Sequence, residues 1–316
     1  MTSNGKNPEF IETKQYQRFK EFCDACRKYQ YIGLCYGVPG VGKTLSSRRY
    51  ANWDKVMAYD RNKPSQPRGI TLAEVAESAV VFYTAQVVNS PRQVTHELSQ
   101  LRDKLRAFVL EDLYRERDER IAQVRQREAE ESAAMLRTDL YYRATDTAAR
   151  RRDESLELIC NEYRPKIDAR PDPTRLIIVD EADRLKTAVL DQLRAIFDQG
   201  GIGLVLVGMP GLEKRLSRYP QLYSRVGFVH EFRPLSQADV RQLLREGWGS
   251  VDSSLPDEES IDEDAITTLI RVSEGRFRVL CRLLQQMNRV MKINRLDKAT
   301  REVVETARES LVIGTA

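Results

Sequence analysis

With 316 residues and 51 Lys and Arg against 47 Asp and Glu, the chain is long enough for one large α/β domain and a smaller one, and its formal net charge is only +4. So mild a balance excludes a uniformly basic nucleic-acid-coating protein; a basic surface has to be local. The absence of an apolar run of roughly 18 residues and the polar opening "MTSNGKNPEF" predict a soluble, cytoplasmic protein with no membrane partner.

Phe10, Tyr16, Phe19, Phe22 and Cys26 recur at helical spacing, so residues 10 to 30 are predicted to form an amphipathic helix leading into the first strand. Cys23 and Cys26 on that helix form a lone C-x-x-C without a second ligand pair, which favours reduced thiols over a zinc site. The strand is "YIGLCY", residues 31 to 36, and "GVPGVGKT" follows it directly. Residues Gly37 to Thr44 fit G-x-x-x-x-G-K-[ST] in the required place between a strand and a helix, a specific sign of a P-loop. Gly37, Pro39, Gly40, Val41 and Gly42 let the backbone turn its N–H groups toward phosphates. Lys43 is placed for the β and γ phosphates of ATP, Thr44 for magnesium, and Leu45 for the cofactor wall.

Apolar runs at 79 to 85, 175 to 181, 203 to 208 and 228 to 232 are spaced widely enough for crossover helices and predict, with the first strand, a five-stranded parallel sheet with helices on both faces. Between the second and third strands, residues 102 to 170 hold sixteen basic and sixteen acidic residues and no proline before Pro165. This predicts a solvated helical hairpin inserted in the domain. It is either an arm for a neighbour or partner or an inert insertion; because its charges cancel, DNA is the less favoured partner.

"LIIVDEAD", residues 176 to 183, is an apolar strand ending in two adjacent carboxylates. Asp180 can hold magnesium through water, and Glu181 can orient or deprotonate an attacking water, which favours hydrolysis over transfer to a substrate. In "GMPGLEKRLSRYPQLYSRVGF", residues 208 to 228, Arg225 precedes the last strand, with Arg215 and Arg218 as competitors for a catalytic role. Beyond it, four segments of helical periodicity predict a small all-α domain. The base-free acidic stretch from Asp252 to Asp264 is predicted to be a solvated loop and helix start.

The order of "IGLCYGVPGVGKT", "LIIVDEADRL", "LVLVGMPGLEKRL", "YSRVGF" and "EGRFRVLCRLL" resembles the AAA+ ATPases of bacterial DNA transposition, the TniB, TnsC, IstB and Mu B proteins, and most of all the first two. The resemblance spans roughly residues 10 to 100 and 172 to 295. It implies a helical lead-in (1 to 30), a nucleotide-binding AAA+ domain (31 to 233, with the insertion) and an α-helical lid (234 to 316). It also implies a magnesium-dependent ATPase that assembles as a helical filament or ring on duplex DNA with little regard to sequence. Such a protein recruits a transposase, with a targeting protein of the TniQ kind as a further partner, and disassembles on hydrolysis. Arg225 would then be the finger that reaches a neighbour's γ phosphate, and Arg278, three residues after Gly275, the lid arginine that touches phosphate.

The loop and helix after the second strand, "AQVVNSPRQVTHEL", would face DNA. There Asn89, Ser90, Arg92 and Gln93 are placed for phosphate contacts at a helix N-terminus, Arg92 being equally readable as a solvated surface charge. Met209 stands where such proteins usually carry a polar sensor, so a neighbour substitutes or hydrolysis is slow. Rival readings are a DnaC-like helicase loader, which would prefer single strands, and a signalling NTPase that binds no DNA.

Overall fold

The computed structural model describes residues 10, 12–60, 70–135, 141–245 and 261–311. Residues 136–140 of the predicted helical hairpin, and most of the acidic stretch that begins at Asp252, fall outside the described residues. The chain divides into two compact units, one of residues 1–54, 80–97 and 175–316 and another of 55–79 and 98–174.

The first unit is built on strands β1 (Ile32–Tyr36), β2 (Val80–Thr84), β3 (Leu176–Asp180), β4 (Gly203–Gly208) and β5 (Val226–Glu231). They form one parallel five-stranded sheet in the order β2-β3-β4-β1-β5. Every residue of β3 and β4 is buried, as continuous aliphatic runs require when both sheet faces are covered. Each large aliphatic side chain so placed contributes roughly 1.5–3 kcal/mol of burial. Edge strand β5 alternates instead, and it begins two residues before the apolar run at 228 because Val226 pairs with Ile32 ahead of a register shift.

Helix α1 (Lys14–Tyr29) starts at Thr13, whose hydroxyl accepts the N–H of Tyr16 at 3.2 Å, so Phe10 lies ahead of the helix with its ring on Tyr16. The helix lies directly on the sheet. A Cβ at Gly33 would fall on Cys26 Sγ and the Phe22 ring, and one at Gly203 would come within 2.5 Å of the Cys26 carbonyl. Cys23 and Cys26 are therefore core residues, and burial pushes the Cys26 thiol up to about 12.

Helices α2 (Lys43–Tyr50) and α3 (Trp53–Ala58) follow β1, and α4 (Ile70–Ser78) precedes β2. In the second unit, the later turns of α5 (Pro91–Val109) lead into α6 (Glu111–Met135) and α7 (Tyr141–Asp168). Arg120 pairs with Glu162 at 2.6 Å and Arg152 lies 3.9 Å from Glu128, which sets α6 and α7 antiparallel. Such exposed pairs are worth about 0–1 kcal/mol each and specify register more than stability. The unit is wider than the predicted insertion at 102 to 170, since it also takes in residues 55–79. Tyr59 packs edge-on against Phe108 at 5.2 Å and Lys104 Nζ donates to the Met57 carbonyl at 3.1 Å, contacts between segments too distant in sequence for local periodicity to reveal.

Back in the first unit, α8 (Thr187–Asp198) follows β3, while α9 (Leu212–Leu216) and α10 (Pro220–Tyr223) lie between β4 and β5. The C-terminal helices α11 (Gln237–Arg245), α12 (Glu263–Ser273), α13 (Phe277–Asn294) and α14 (Arg301–Glu309) share an apolar cluster that includes Leu243, Ile266, Leu284, Met287 and Val304. Ser236 and Asp239 cap α11 reciprocally, and Arg241 grips Glu263 with two hydrogen bonds of 2.9 and 2.8 Å. Among the described residues no helix is long and apolar enough to cross a membrane.

His230 on β5 stacks on Phe22 at 5.4 Å and meets Phe19 and Phe232, and burial, aided by Arg18, lowers its pKa to about 4. The folded state thus resists a proton that the unfolded chain accepts below about 6.5. Its contribution is fully present above that value and is lost as pH falls toward 4, by an amount on the order of 1 kcal/mol after solvent screening. Denaturant titrations should therefore show wild type losing more stability than His230→Phe between about pH 6.5 and 4.

Candidate nucleotide site

The phosphate loop occupies the interval between the end of β1 and the start of α2. Gly40 and Gly42 have φ of 83° and 107°, left-handed values that glycine adopts without the cost of a Cβ, and Gly42 is the N-cap of α2. Gly37 N donates to the Gly208 carbonyl at 3.4 Å, tying the loop to the end of β4. Val41 is buried beneath, while Pro39, Gly40, Gly42, Lys43, Thr44 and Leu45 line a cavity of about 430 Å³. Lys43 Nζ donates to the carbonyls of Gly37 at 2.6 Å and Val38 at 3.1 Å. Burial lowers the Lys43 pKa, and the negative charges of Asp180, Glu181 and Asp183 oppose that shift.

Asp180 ends β3 and is only 2% exposed. Its Oδ2 accepts the Thr44 hydroxyl at 2.6 Å and its Oδ1 accepts the N–H of Glu181 at 2.9 Å. A hydroxyl and a carboxylate in contact at a phosphate loop suit magnesium, a hard cation that takes oxygen ligands and draws the rest from phosphate and water. Among the described residues no group of three or more His, Cys, Asp or Glu side chains could hold a metal by itself. Glu181 adopts φ 55°, a left-handed conformation that costs a side-chain-bearing residue about 1–2 kcal/mol, and its carboxylate lies 3.5 Å from Arg184 Nη2.

From the C-terminal helices, Arg278 N donates to the Gly40 carbonyl at 2.9 Å, and the Arg278 side chain lines the same cavity with Phe277, Cys281 and Arg282. Sequence reading missed Arg282, Arg48 and Asp183, all of which line the cavity. The first stands one helical turn beyond Arg278 and the second one turn beyond Thr44, so i to i+4 spacing carried a signal for both.

Arg225 is not brought to this cavity. It precedes β5 beside Ile32, whereas the phosphate loop begins about 16 Å farther along the sheet at roughly 3.3 Å per residue. Its guanidinium holds Asp198 with contacts of 2.5 and 2.9 Å. Arg215 donates to the carbonyls of Asp183 at 2.5 Å and of Leu185, and Arg218 is exposed.

Beyond β2, Ser90, Arg92 and Gln93 are exposed at the N-terminus of α5, where Ser90 Oγ accepts the N–H of Gln93 at 3.3 Å. Asn89 departs from its expected place as a phosphate contact: it is 3% exposed. Its amide donates to the carbonyls of Gln86 at 2.9 Å and Arg184 at 3.1 Å, and its Oδ1 accepts Lys186 N at 3.4 Å. It anchors the loop from inside and leaves Val87 and Val88 displayed on the surface.

Replacing Lys43 by Ala removes the half-buried cation of the loop, and titration with a fluorescent ATP analogue is expected to show at least a hundredfold loss of affinity, since hydrogen bonds to charged groups are among the strong ones.

Comparison with known proteins agrees with this geometry. The chain is 42% identical over 310 residues to a potential ATP-binding protein of Staphylococcus aureus, spanning 98% of both chains. It is 30% identical over 131 residues to the Mu-like prophage FluMu DNA transposition protein B of Haemophilus influenzae, 39% of this chain and 42% of that one. A proline-to-glycine variant of Thermotoga maritima RuvB shares the fold with a TM-score of 0.50 at 15% identity, covering 98% of this chain and 74% of that one. The family model for the AAA domain matches residues 26–216, and with the phosphate loop and the β3 carboxylates assembled at one cavity, the chain belongs to the AAA family of P-loop ATPases.

Proposed function

We propose that this AAA ATPase is an ATP-dependent regulator of DNA transposition: with ATP it assembles on duplex target DNA, recruits and activates a transposase, and leaves the DNA on hydrolysis. The observation that carries the transposition role is the similarity to the FluMu DNA transposition protein B. In this reading residues 31–233 bind nucleotide behind a helical lead-in at 1–30, and 234–316 act as a lid whose Arg278 senses phosphate. A magnesium ion bound with ATP would neutralise β and γ phosphate charge. Lys43 leaves its two carbonyls for the phosphates, Thr44 and Asp180 hold the cation's ligand shell, and Glu181 takes a proton from water.

Duplex DNA lies against Ser90, Arg92 and Gln93, which contact phosphates and read no bases. The geometry supports a route from that surface to the catalytic carboxylate. Asn89 holds the Arg184 carbonyl, Arg184 Nη1 donates to the Ala85 carbonyl at 3.3 Å, and Arg184 Nη2 draws Glu181 sideways at 3.5 Å. DNA binding that shifts this loop loosens Arg184 and releases Glu181 toward the γ phosphate. Arg225, out of reach of its own cavity, serves the site of the next subunit in a filament or ring, exchanging Asp198 for phosphate.

Filter binding with ATP is expected to retain duplex DNA on the protein in preference to single strands. Preference for single strands would favour a helicase loader, and ATP turnover indifferent to any DNA a signalling NTPase. Glu181→Gln should keep ATP and DNA binding while turnover slows by about 10²–10⁴, the usual share of general-base catalysis; its DNA complexes should outlive wild type, and faster dissociation would refute the switch.

Arg225→Ala should bind ATP normally yet lose turnover by on the order of 10³ or more. Mixed with Lys43→Ala subunits, whose fingers are intact, it should regain activity; no recovery at any ratio, with both variants co-assembled on DNA, would remove Arg225 from catalysis.

A further inference from the structure

Beyond Glu181, a further carboxylate after β3 lines the cavity. Asp183 lies on the short 3₁₀ turn after β3, and its side chain lines the cavity together with Lys43, Asp180, Glu181, Gly208 and Met209. Its Oδ1 accepts the N–H of Met209 at 3.1 Å, so the carboxylate sits over the end of β4. Its Oδ2 has no hydrogen-bond partner among the described residues. The surroundings hold it there from two further sides. A Cβ at Gly208 would come within 2.7 Å of Asp183 Oδ1, so a side chain there would push the carboxylate from its present place. Arg215, arriving from α9, donates to the Asp183 carbonyl at 2.5 Å and to the Leu185 carbonyl, fixing the turn itself.

A carboxylate pinned at one oxygen, free at the other and exposed to a phosphate-binding cavity is costly to keep there for packing alone, because its negative charge opposes phosphate binding. A charge of that kind is useful where it accepts a proton-bearing group that must be aimed. We propose that Asp183 positions the hydrolytic water, with Oδ2 accepting a hydrogen bond from one O–H of the water while Glu181 takes the other proton. In the step, the water oxygen bonds to the γ phosphorus and the bond from that phosphorus to the bridging oxygen breaks, its electron pair leaving with ADP. One water proton passes to Glu181, and the other remains on the oxygen that becomes part of inorganic phosphate. Met209 contributes its backbone N–H alone, and the polar side chain at the end of β4 comes from the neighbouring strand's loop.

The inference rests on the ATPase reading of the site and is independent of the DNA role. Asp183→Asn separates aiming from architecture, because the amide oxygen still accepts the Met209 N–H at unchanged volume while the negative acceptor is lost. ATP turnover, affinity for a fluorescent ATP analogue and thermal midpoint are measured for wild type, Asp183→Asn, Asp183→Glu and Lys43→Ala. The expected result is a kcat at least tenfold lower in Asp183→Asn, with analogue affinity equal to wild type or tighter, an unchanged thermal midpoint, and partial recovery of kcat in Asp183→Glu. A kcat within twofold of wild type in Asp183→Asn would overturn the proposal and leave the ATPase reading standing. So would a loss of affinity or thermal midpoint that accounts for the whole loss of activity. Wild type no more active than Lys43→Ala would remove the ATPase reading and this inference together.

Discussion

The hydrogen bond from the Thr44 hydroxyl to Asp180 Oδ2, 2.6 Å long, joins the start of α2 to the end of β3, and the strands that lead to these two groups are not neighbours. Thr44 follows β1, Asp180 ends β3, and β4 lies between them in the sheet. The site therefore exists only while β4 stays in place and its end stays small. Gly208 meets that condition, accepting Gly37 N on one side and leaving space for the Asp183 carboxylate on the other. The cavity lies at the carboxyl ends of the strands, beside the place where chain order reverses at β1, as open parallel sheets favour.

The rigid and the adjustable parts of the molecule differ in kind. The strands that carry Asp180 and the phosphate loop are buried aliphatic runs, whose positions are set by burial and by regular backbone hydrogen bonding. Side chains that line the cavity hang instead from turns held by one or two hydrogen bonds. Lys43 rests on two carbonyls, Glu181 occupies a left-handed conformation beside Arg184, and Arg278 belongs to a helix tied to the loop through Gly40. Rearranging one such contact costs about 1 kcal/mol net, far less than moving a strand.

The second unit follows another logic. Between α6 and α7 the pairs Arg120–Glu162 and Arg152–Glu128 are largely exposed, while Tyr163 is fully buried with Arg120 and Lys166 over its ring at 5.6 and 4.6 Å. Alternating charge keeps two long helices paired and solvated without a large apolar core. Apolar packing in the unit includes Tyr59 against Phe108, with Leu105, Leu110 and Ile159 also buried.

Sequence by itself determined whatever depends on near neighbours in the chain. The five apolar runs, the glycine loop at Gly37 to Thr44, the Asp180 and Glu181 pair at a strand end and the i to i+4 pattern of the C-terminal helices all express local periodicity, and all the strands form within about two residues of those runs. What depends on packing between distant segments was decided only in three dimensions. The lateral order β2-β3-β4-β1-β5 brings Asp183 over Met209, the cavity gathers Arg282 and Arg48 beside Arg278, and burial turns Asn89 from a surface contact into a loop anchor. Residues 55–79 join the charged helices through rings and carbonyls some fifty positions apart. The physical reason is the same in each case. Propensity and periodicity act over a few residues, whereas the burial of an amide or the aim of a carboxylate is set by whatever the fold places next to it.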